Sequence, residues 1–477
     1  MKTPYDKDKY FLFLIIVGLG LATAWSWGTF QEGHLFIQFP QLLSISPERA
    51  FFFFPLFNAI FFTLMAKYTF FFNGNKFFKQ LLLFSVFSLF LLLPRTPSHL
   101  SIWMDFASIS IASAALALFD GGWMWLGTNL SPQKAVLVFS AANMLASLIM
   151  AVHPWFPPSF LLLITGAFPL VSALFWGKSF NFSFSSSEPP HLRPQTSFKG
   201  KWLAPLHFGL AIRIFLFFLA CSIFHHHILS SSGTETISHF FFSELMYGAG
   251  ALTAALLVYK IPKIKLRHIY ILAQILIGTG FLLISPFYGV SGWISILPIT
   301  LLQFGFGCFG AYAWATLVGL ASRAPKEHAL SVASKGLALI AGSVFIGQNL
   351  IFLLNSISEI WKIPNNQLLW VAGVISLLLA GLFFHDNPET FANENLDKQE
   401  KHGLAPLSQT ERHHLLLLPY DLTKQETKIA LLLAENLNNS EICDSLNISE
   451  NTLKTHLRNI YRKTKASGRE DVQRIFS

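Results

Sequence analysis

Residues 422–463 have the sequence LTKQETKIALLLAENLNNSEICDSLNISENTLKTHLRNIYRK, which contains the signals of successive short helices. Thr423 and Glu426 have the spacing of a capping box, in which a hydroxyl and a carboxylate satisfy the free amide groups of a helix start. Asn438 and Glu441 repeat this spacing 15 residues later. The stretch therefore predicts a compact array of short helices that begin at capped ends.

The third helix of this stretch follows Ser449, a preferred N-cap residue, and has two different faces. Apolar residues at positions i, i+4, i+7 and i+8 form one core-facing stripe: Leu453, Leu457, Ile460 and Tyr461. The opposite face is polar and basic: Lys454, Thr455, Arg458 and Arg462. From Lys454 to Ser477 the chain has seven basic and two acidic residues, so we expect this part to bind a polyanion.

This pattern resembles the LuxR-type DNA-binding domain. The matching positions are Leu422-Thr423-x-x-Glu426, Asn439-x-Glu441-Ile442, Leu446-x-Ile448-Ser449-Glu450-x-Thr452-Leu453-Lys454-x-His456-Leu457-x-Asn459-Ile460-Tyr461-Arg462-Lys463, and Arg469. The resemblance covers about 422–475 and implies a small four-helix helix-turn-helix domain that binds double-stranded promoter DNA. It also implies a homodimer, because the family's last helix, here from about 469, forms the dimer contact.

In this family the third helix enters the major groove of DNA. The resemblance therefore assigns base contacts, with Lys and Arg suited to guanine O6 and N7, to Lys454, Thr455 and Arg458. It assigns phosphate contacts to Thr452, Asn459, Arg462 and Lys463. The alternative is that these side chains form an ordinary solvated face.

The rest of the chain has the composition of a membrane protein: 53% of all residues are apolar, 12% are charged, and Phe occurs 50 times. Runs of about 20 apolar residues, each long enough to cross a bilayer core of about 30 Å, recur along it. The twelve runs are 10–30, 50–72, 77–93, 100–119, 133–152, 157–177, 204–228, 239–260, 268–287, 293–320, 331–354 and 367–385. We therefore expect an all-α protein, a polytopic helix bundle followed by the small helix-turn-helix domain.

Loop charge predicts the orientation of the bundle, because cytoplasmic loops are enriched in Lys and Arg. With the N-terminus inside, eighteen Lys and Arg residues lie on the cytoplasmic side, and only Arg49, Arg95 and Lys362 lie outside. An even number of spans returns the C-terminus to the cytoplasm. The expected location is the bacterial cytoplasmic (inner) membrane, with both termini in the cytoplasm and the lipid bilayer as a partner.

A polar segment, 178–203, divides the twelve runs into six plus six. This layout resembles the major facilitator superfamily, whose two six-helix halves enclose a central cavity. That family's loop between spans two and three needs an acidic residue, which the sequence around Gly74 lacks, and this departure favours a sensor over an active transporter. The predicted domains are a bundle at 1–385, a linker at 386–415 and the helix-turn-helix domain at 416–477.

Ionisable residues inside spans usually pair with one another or line a cavity, and Arg213 and Glu244 are the clearest examples here. Arg213 could hold an anionic ligand, or the two residues could form a structural pair. His225, His226, His227 and His239 lie at outer span ends, where histidines bind metal or sense pH in some proteins but more commonly do neither. We expect no resident metal, no cofactor and no enzyme activity, because the sequence shows no nucleophile–base pair, phosphate-binding glycine loop or metal-ligand motif.

The fusion predicts a membrane-bound one-component transcription regulator, whose bundle senses a small-molecule ligand or an envelope signal. The alternative is a working transporter of a small solute with a fused autoregulatory DNA-binding domain. A third interpretation makes the bundle a mere anchor.

Overall fold

The computed structural model describes residues 4–31, 42, 47–69, 74–93, 99–183, 208–231, 236–261, 264–287, 296–324, 328–362 and seven positions between 371 and 381. In the C-terminal part it describes 420, 422–434, 437–446, 448–464, 466 and 468–474. The chain divides into two units, Met1–His385 and Asp386–Ser477. The predicted linker at 386–415 and most of the segment 178–203 lie outside the described residues.

The first unit is built from long apolar helices, as expected of a chain whose backbone groups must be satisfied without water. The helices are α1 (Pro4–Ser26), α2 (Pro47–Lys67), α3 (Gly74–Ser88), α4 (His99–Gly127), α5 (Pro132–Val152), α6 (Pro158–Ser183), α7 (Phe208–Ser231), α8 (Thr236–Lys260), α9 (Leu266–Phe287), α10 (Ile296–Arg323) and α11 (Ala329–Trp361). A π-helical turn, Trp27–Gln31, extends α1, and 3-10 turns follow α3 and α5. These helices correspond in order to the first eleven predicted spans.

Seven helical segments of the described residues are long and apolar enough to cross a membrane, and two shorter apolar helices accompany them. The twelfth predicted span, 367–385, lies largely outside the described residues, but the seven positions described within it are all helical. Large apolar side chains such as Trp103 and Ile360 are 73% and 75% exposed, which suits lipid rather than water. The described residues contain no strand, so the all-α fold class is confirmed.

Helix packing repeats between the two halves of this unit. The pairs α1–α5, α2–α4 and α3–α4 recur as α7–α11, α8–α10 and α9–α10, in which each helix number is raised by six. The halves meet through α2 against α11 and α5 against α8, two pairs that the same shift exchanges. The bundle is therefore an internal repeat of two similar helix groups related by a pseudo-two-fold axis.

Glycines allow the closest helix approach in the second half. A Cβ on Gly250 of α8 would overlap the backbone carbonyl of Phe304 on α10, and one on Gly307 would overlap that of Tyr247. Small residues of this kind let membrane helices pack backbone to backbone. Next to this contact, the rings of Phe217 and Phe309 stack at a centroid distance of 3.9 Å.

The C-terminal unit contains four short helices: α12 (Lys424–Ala434), α13 (Asn439–Leu446), α14 (Glu450–Thr464) and α15 (Arg469–Arg474). Helix α14 packs on α12 and α13, and α15 packs on α12. Their buried core consists of Ile429, Leu433, Ile442, Leu453, Leu457, Ile460 and Val472. The predicted core stripe of α14 is confirmed at Leu453, Leu457 and Ile460, while Tyr461 is partly buried against the same core.

Candidate DNA-binding interface

Both predicted capping boxes are formed, and they fix the starts of α12 and α13. The Thr423 backbone amide donates to Glu426 Oε2 at 2.8 Å, and the Glu426 amide donates to Thr423 Oγ1 at 3.3 Å. The Asn438 amide donates to Glu441 Oε2 at 2.7 Å, and the Glu441 amide donates to Asn438 Oδ1 at 3.0 Å. Each helix start therefore satisfies two otherwise free amide groups with its own side chains.

The turn between α13 and α14 is equally well defined. The Ile448 amide donates to the Cys443 carbonyl at 3.1 Å, which closes the end of α13. Ser449 caps α14, since its Oγ accepts from the Thr452 amide at 3.2 Å. Ile448, directly before the cap, packs against the core that contains Leu453, as in a hydrophobic staple. This turn sets the direction in which α14 leaves α13.

Helix α14 presents a polar face opposite its buried stripe. Its 15 residues give a rod about 22 Å long, and the major groove of B-DNA is about 12 Å wide. The exposed side chains on this helix include Thr452, Lys454, Thr455, Arg458 and Arg462, whereas Asn459 is half-buried. The Thr455 hydroxyl donates to the Asn451 carbonyl at 3.0 Å, which leaves its oxygen free to accept a further hydrogen bond.

Lys463 differs from the other basic residues of α14 because it forms an ion pair within the unit. Its Nζ lies 2.7 Å from Glu426 Oε2, and the two side chains are 27% and 5% exposed. Burial alone raises the pKa of Glu426, but the hydrogen bonds from Lys463 and Thr423 outweigh it and hold the pKa below its usual value. Glu426 is therefore ionised at neutral pH.

Arg469, at the start of α15, ties that helix to the turn after α12. Its guanidinium donates to the Leu437 carbonyl and, at 3.4 Å, to Asn439 Oδ1. Burial raises the pKa of the neighbouring Tyr461 phenol, and the positive charge of Arg469 partly offsets this shift. The position that matches the family pattern late in the domain thus has a structural role.

In the membrane unit, Arg213 and Glu244 are each 3% exposed, on α7 and α8. Arg213 Nε donates to the Gly209 carbonyl at 2.9 Å, and its guanidinium carbon lies 5.5 Å from the centre of the Tyr270 ring. A cation over an aromatic face is stabilised electrostatically. The predicted ligand or pairing role of Arg213 and Glu244 stays a prediction.

Among the described residues of this unit, Asp105 on α4 and Lys335 on α11 are also charged and buried. Lys335 is one of the eighteen Lys and Arg residues counted on the cytoplasmic side, and it also falls in the predicted span 331–354; its side chain lies inside the bundle and is 3% exposed. One turn earlier, Ser331 Oγ donates to the Ala66 carbonyl at 2.7 Å, which joins α11 to α2 across the two halves. The sequence places Lys335 inside that span, but it does not show whether the side chain extends to the interface or points into the bundle.

The four outer histidine side chains, His225, His226, His227 and His239, lie outside the described side chains. Within the part of the chain that the structure describes, no three His, Cys, Asp or Glu side chains gather in a way that could hold a metal ion.

Comparison with known families identifies the C-terminal unit. Residues 421–476 match the family model "Bacterial regulatory proteins, luxR family". This segment is a LuxR-type helix-turn-helix domain. No curated protein sequence matches the chain at a significant level.

The membrane unit is similar to solved transporter structures. A bacterial homologue of the iron transporter ferroportin, in an outward-facing state, is 15% identical with a TM-score of 0.58; the match covers 79% of this chain and 98% of that one. The human organic anion transporter MFSD10 (TETRAN) is 13% identical with a TM-score of 0.56, and the match covers 80% of this chain and 100% of that one. At these identities the likeness establishes the fold, a major-facilitator-like bundle joined to a LuxR-type domain.

Within the LuxR-type domain, the three predicted base contacts lie together on the exposed face of α14: Lys454, Thr455 and Arg458. Among the predicted phosphate contacts, Lys463 has a partner that sequence reasoning missed. The available signal was an acidic residue in the first turn of α12 and a basic residue in the last turn of α14. At the end of α14, the Thr464 hydroxyl donates to the Ile460 carbonyl at 2.8 Å, so this polar side chain is satisfied within its own helix.

Proposed function

We propose that this protein is a membrane-bound one-component transcription regulator. The observation that carries the proposal is the presence, in one chain, of a LuxR-type domain with an exposed basic helix and a transporter-like membrane bundle. A signal received by the bundle would change the spacing or pairing of the DNA-binding domains. One-component regulation from the membrane needs both parts in one polypeptide, and this chain contains both.

For DNA recognition, we propose that α14 enters the major groove and that Lys454, Thr455 and Arg458 contact base edges. Each lies on the exposed face of the helix, opposite the buried stripe. Thr452, Asn459 and Arg462 would contact phosphates, which set the position of the helix without distinguishing sequences. Lys463, to which the family resemblance also assigns a phosphate contact, is paired with Glu426. The domain would act as a homodimer through α15, as in the family it matches.

For signal reception, we propose that the bundle binds a small solute in the inner membrane, with both termini in the cytoplasm. The excess of Lys and Arg in one set of loops supports this orientation. Arg213 is a candidate for an anionic ligand, since it is a buried cation on a helix of the bundle. Its role as a partner of Glu244 is the structural alternative.

A second candidate function is a working transporter that controls its own expression. The likeness of the bundle to solved transporters favours it. The missing acidic residue in the loop around Gly74 favours the sensor. Coupled flux of a solute through proteoliposomes, abolished by Arg213→Ala, would support the transporter, whereas a ligand that binds without crossing would support the sensor.

The DNA-binding role is tested with the full-length protein in lipid nanodiscs and a duplex that it selects from a randomised pool. Affinity should fall steeply as salt rises, because bound phosphates release counterions. Lys454→Ala or Arg458→Ala should each cost about 1–3 kcal/mol at one base position and relax specificity there.

Lys428→Ala, which removes an exposed lysine from α12, is the matched control and should leave specificity unchanged. Equal specificity in the unsubstituted protein and in all three variants would show that Lys454 and Arg458 of α14 do not contact bases.

A further inference from the structure

One carboxylate oxygen in the LuxR-type domain connects two distant parts of the chain. Glu426 Oε2 accepts the Thr423 amide at 2.8 Å and Lys463 Nζ at 2.7 Å. Thr423 is where the chain enters the domain at the start of α12, and Lys463 is in the last turn of α14. The shared carboxylate therefore links the C-terminal turn of α14 to the start of α12.

The environment of this contact makes it stronger than a surface ion pair. The Glu426 side chain is 5% exposed and Lys463 is 27% exposed, so water screens the charges only in part. Exposed pairs contribute little because solvent screens them and the side chains lose freedom. Here the carboxylate is already held by the capping box, so pairing with Lys463 costs Glu426 little additional freedom.

We propose that Lys463 and Glu426 are positioning residues for DNA recognition, which hold the C-terminal turn of α14 at the angle that base contact requires. This inference rests on the proposed DNA-binding function. It differs from the phosphate contact that the family resemblance assigns to Lys463, because the ammonium group here is bound by a carboxylate of its own domain. The two roles can therefore be distinguished by substituting Glu426 and measuring DNA affinity.

The phosphate-contact role and the positioning role predict opposite effects of Glu426→Gln on DNA affinity. Glu426→Gln removes a negative charge from a domain that binds a polyanion, so long-range electrostatics alone would strengthen DNA binding. The positioning role predicts weaker binding, because the glutamine amide cannot form the ion pair with Lys463. If Lys463 contacts a phosphate, Lys463→Met should make the slope of log K against log salt less steep by about 0.9. A positioning role predicts an unchanged slope.

The experiment uses the full-length protein in nanodiscs with two probes, a mixed-sequence 30-bp duplex and the duplex that the protein selects from a randomised pool. Variants are Glu426→Gln, Lys463→Met and the double change, measured as affinity against salt. Each single variant should weaken binding to the selected duplex roughly tenfold, and the double variant should be no weaker than either, as for contacting residues that act as a unit. Binding to the mixed-sequence duplex should change less, and the salt slope should stay the same.

Two substitutions are matched controls. Glu441→Gln removes the same charge from the other capping box, whose carboxylate caps α13, and should therefore keep or slightly raise the affinity. Arg462→Met removes an exposed cation one position before Lys463 and should lower the salt slope by about 0.9. Lys463→Arg keeps the positive charge and should restore most of the affinity. Amide exchange of α12 and α14 separates misorientation from unfolding, since a positioning defect leaves both helices protected.

Binding by Glu426→Gln that equals or exceeds that of the unsubstituted protein overturns the inference. So do additive losses in the double variant, or a reduced slope with Lys463→Met. All three leave the proposed function intact. Absence of any salt-dependent binding by the unsubstituted protein overturns the proposed function and the inference with it.

Discussion

Ile460→Ala should strongly destabilise the LuxR-type domain while the membrane bundle stays intact. Ile460 is fully buried on the core stripe of α14, where it packs with the core residues of α12, α13 and α15. The change removes three carbons, worth about 2.4 kcal/mol at ~0.8 kcal/mol per buried group. The cavity that remains raises the expected cost to about 2–5 kcal/mol.

This cost is large relative to the stability of the domain. At roughly 0.05–0.15 kcal/mol per residue, a segment of the length of 421–476 is stable by about 3–8 kcal/mol. Ile460→Ala therefore removes between about a quarter and all of this stability, and DNA binding should weaken most near physiological temperature. Ile460→Val, which removes one carbon, should cost only about 0.5–1.5 kcal/mol and preserve binding.

Hydrogen exchange of the full-length protein in nanodiscs measures the effect. Amides of α12 and α14 should exchange roughly 30-fold or more faster in Ile460→Ala, since every 1.4 kcal/mol is about a factor of ten. Arg462→Ala, two residues along the same helix but exposed, should change exchange by less than about 0.5 kcal/mol. Equal exchange in Ile460→Ala and the unsubstituted protein would refute the assignment of this stripe to the core.

Three further predictions concern other contacts. Because its pKa is lowered, ionised Glu426 stabilises the domain above pH 4.5, and this stabilisation is lost as pH falls through the lowered pKa. Glu426→Gln should therefore make the free energy of unfolding depend less on pH in that window, and an unchanged pH dependence would contradict the shift. Thr423→Ala should cost about 0.5–2 kcal/mol through loss of the cap, measured by amide exchange in α12, and undiminished protection there would contradict the cap. Gly250→Ala should lower the thermal stability of the bundle because its Cβ would overlap Phe304, whereas Gly278→Ala, with nothing within 4 Å, should not; equal melting temperatures would argue against the close packing of α8 on α10.

Local features of the domain were predictable from sequence, and distant ones were not. The boxes at Thr423–Glu426 and Asn438–Glu441 join residues three apart, so composition and spacing suffice to predict them. The ion pair of Glu426 with Lys463 joins residues 37 positions apart, and only the packing of α14 on α12 brings them together. Its signal in the sequence is no stronger than that of any other pair of opposite charges.

The membrane unit shows the same division. Hydropathy predicts its helices, because each span must satisfy its backbone within lipid. It does not predict that α2 packs on α11 and α5 on α8, since lipid and a neighbouring helix are equally apolar surroundings. Burial of Lys335 within α11 was missed for a related reason: near a helix end, a lysine can extend to the interface or point inward, and packing decides which.

The central claim, that a membrane-embedded chain binds promoter DNA through α14, is tested most directly by mapping cross-linked DNA in cells. The full-length protein is compared with the double variant Lys454→Ala, Arg458→Ala, with equal amounts of both confirmed in the membrane fraction. The unsubstituted protein should give discrete sites that share a sequence motif, and the double variant should lose them. Identical sites for both proteins, or no sites for the unsubstituted one, would contradict the account.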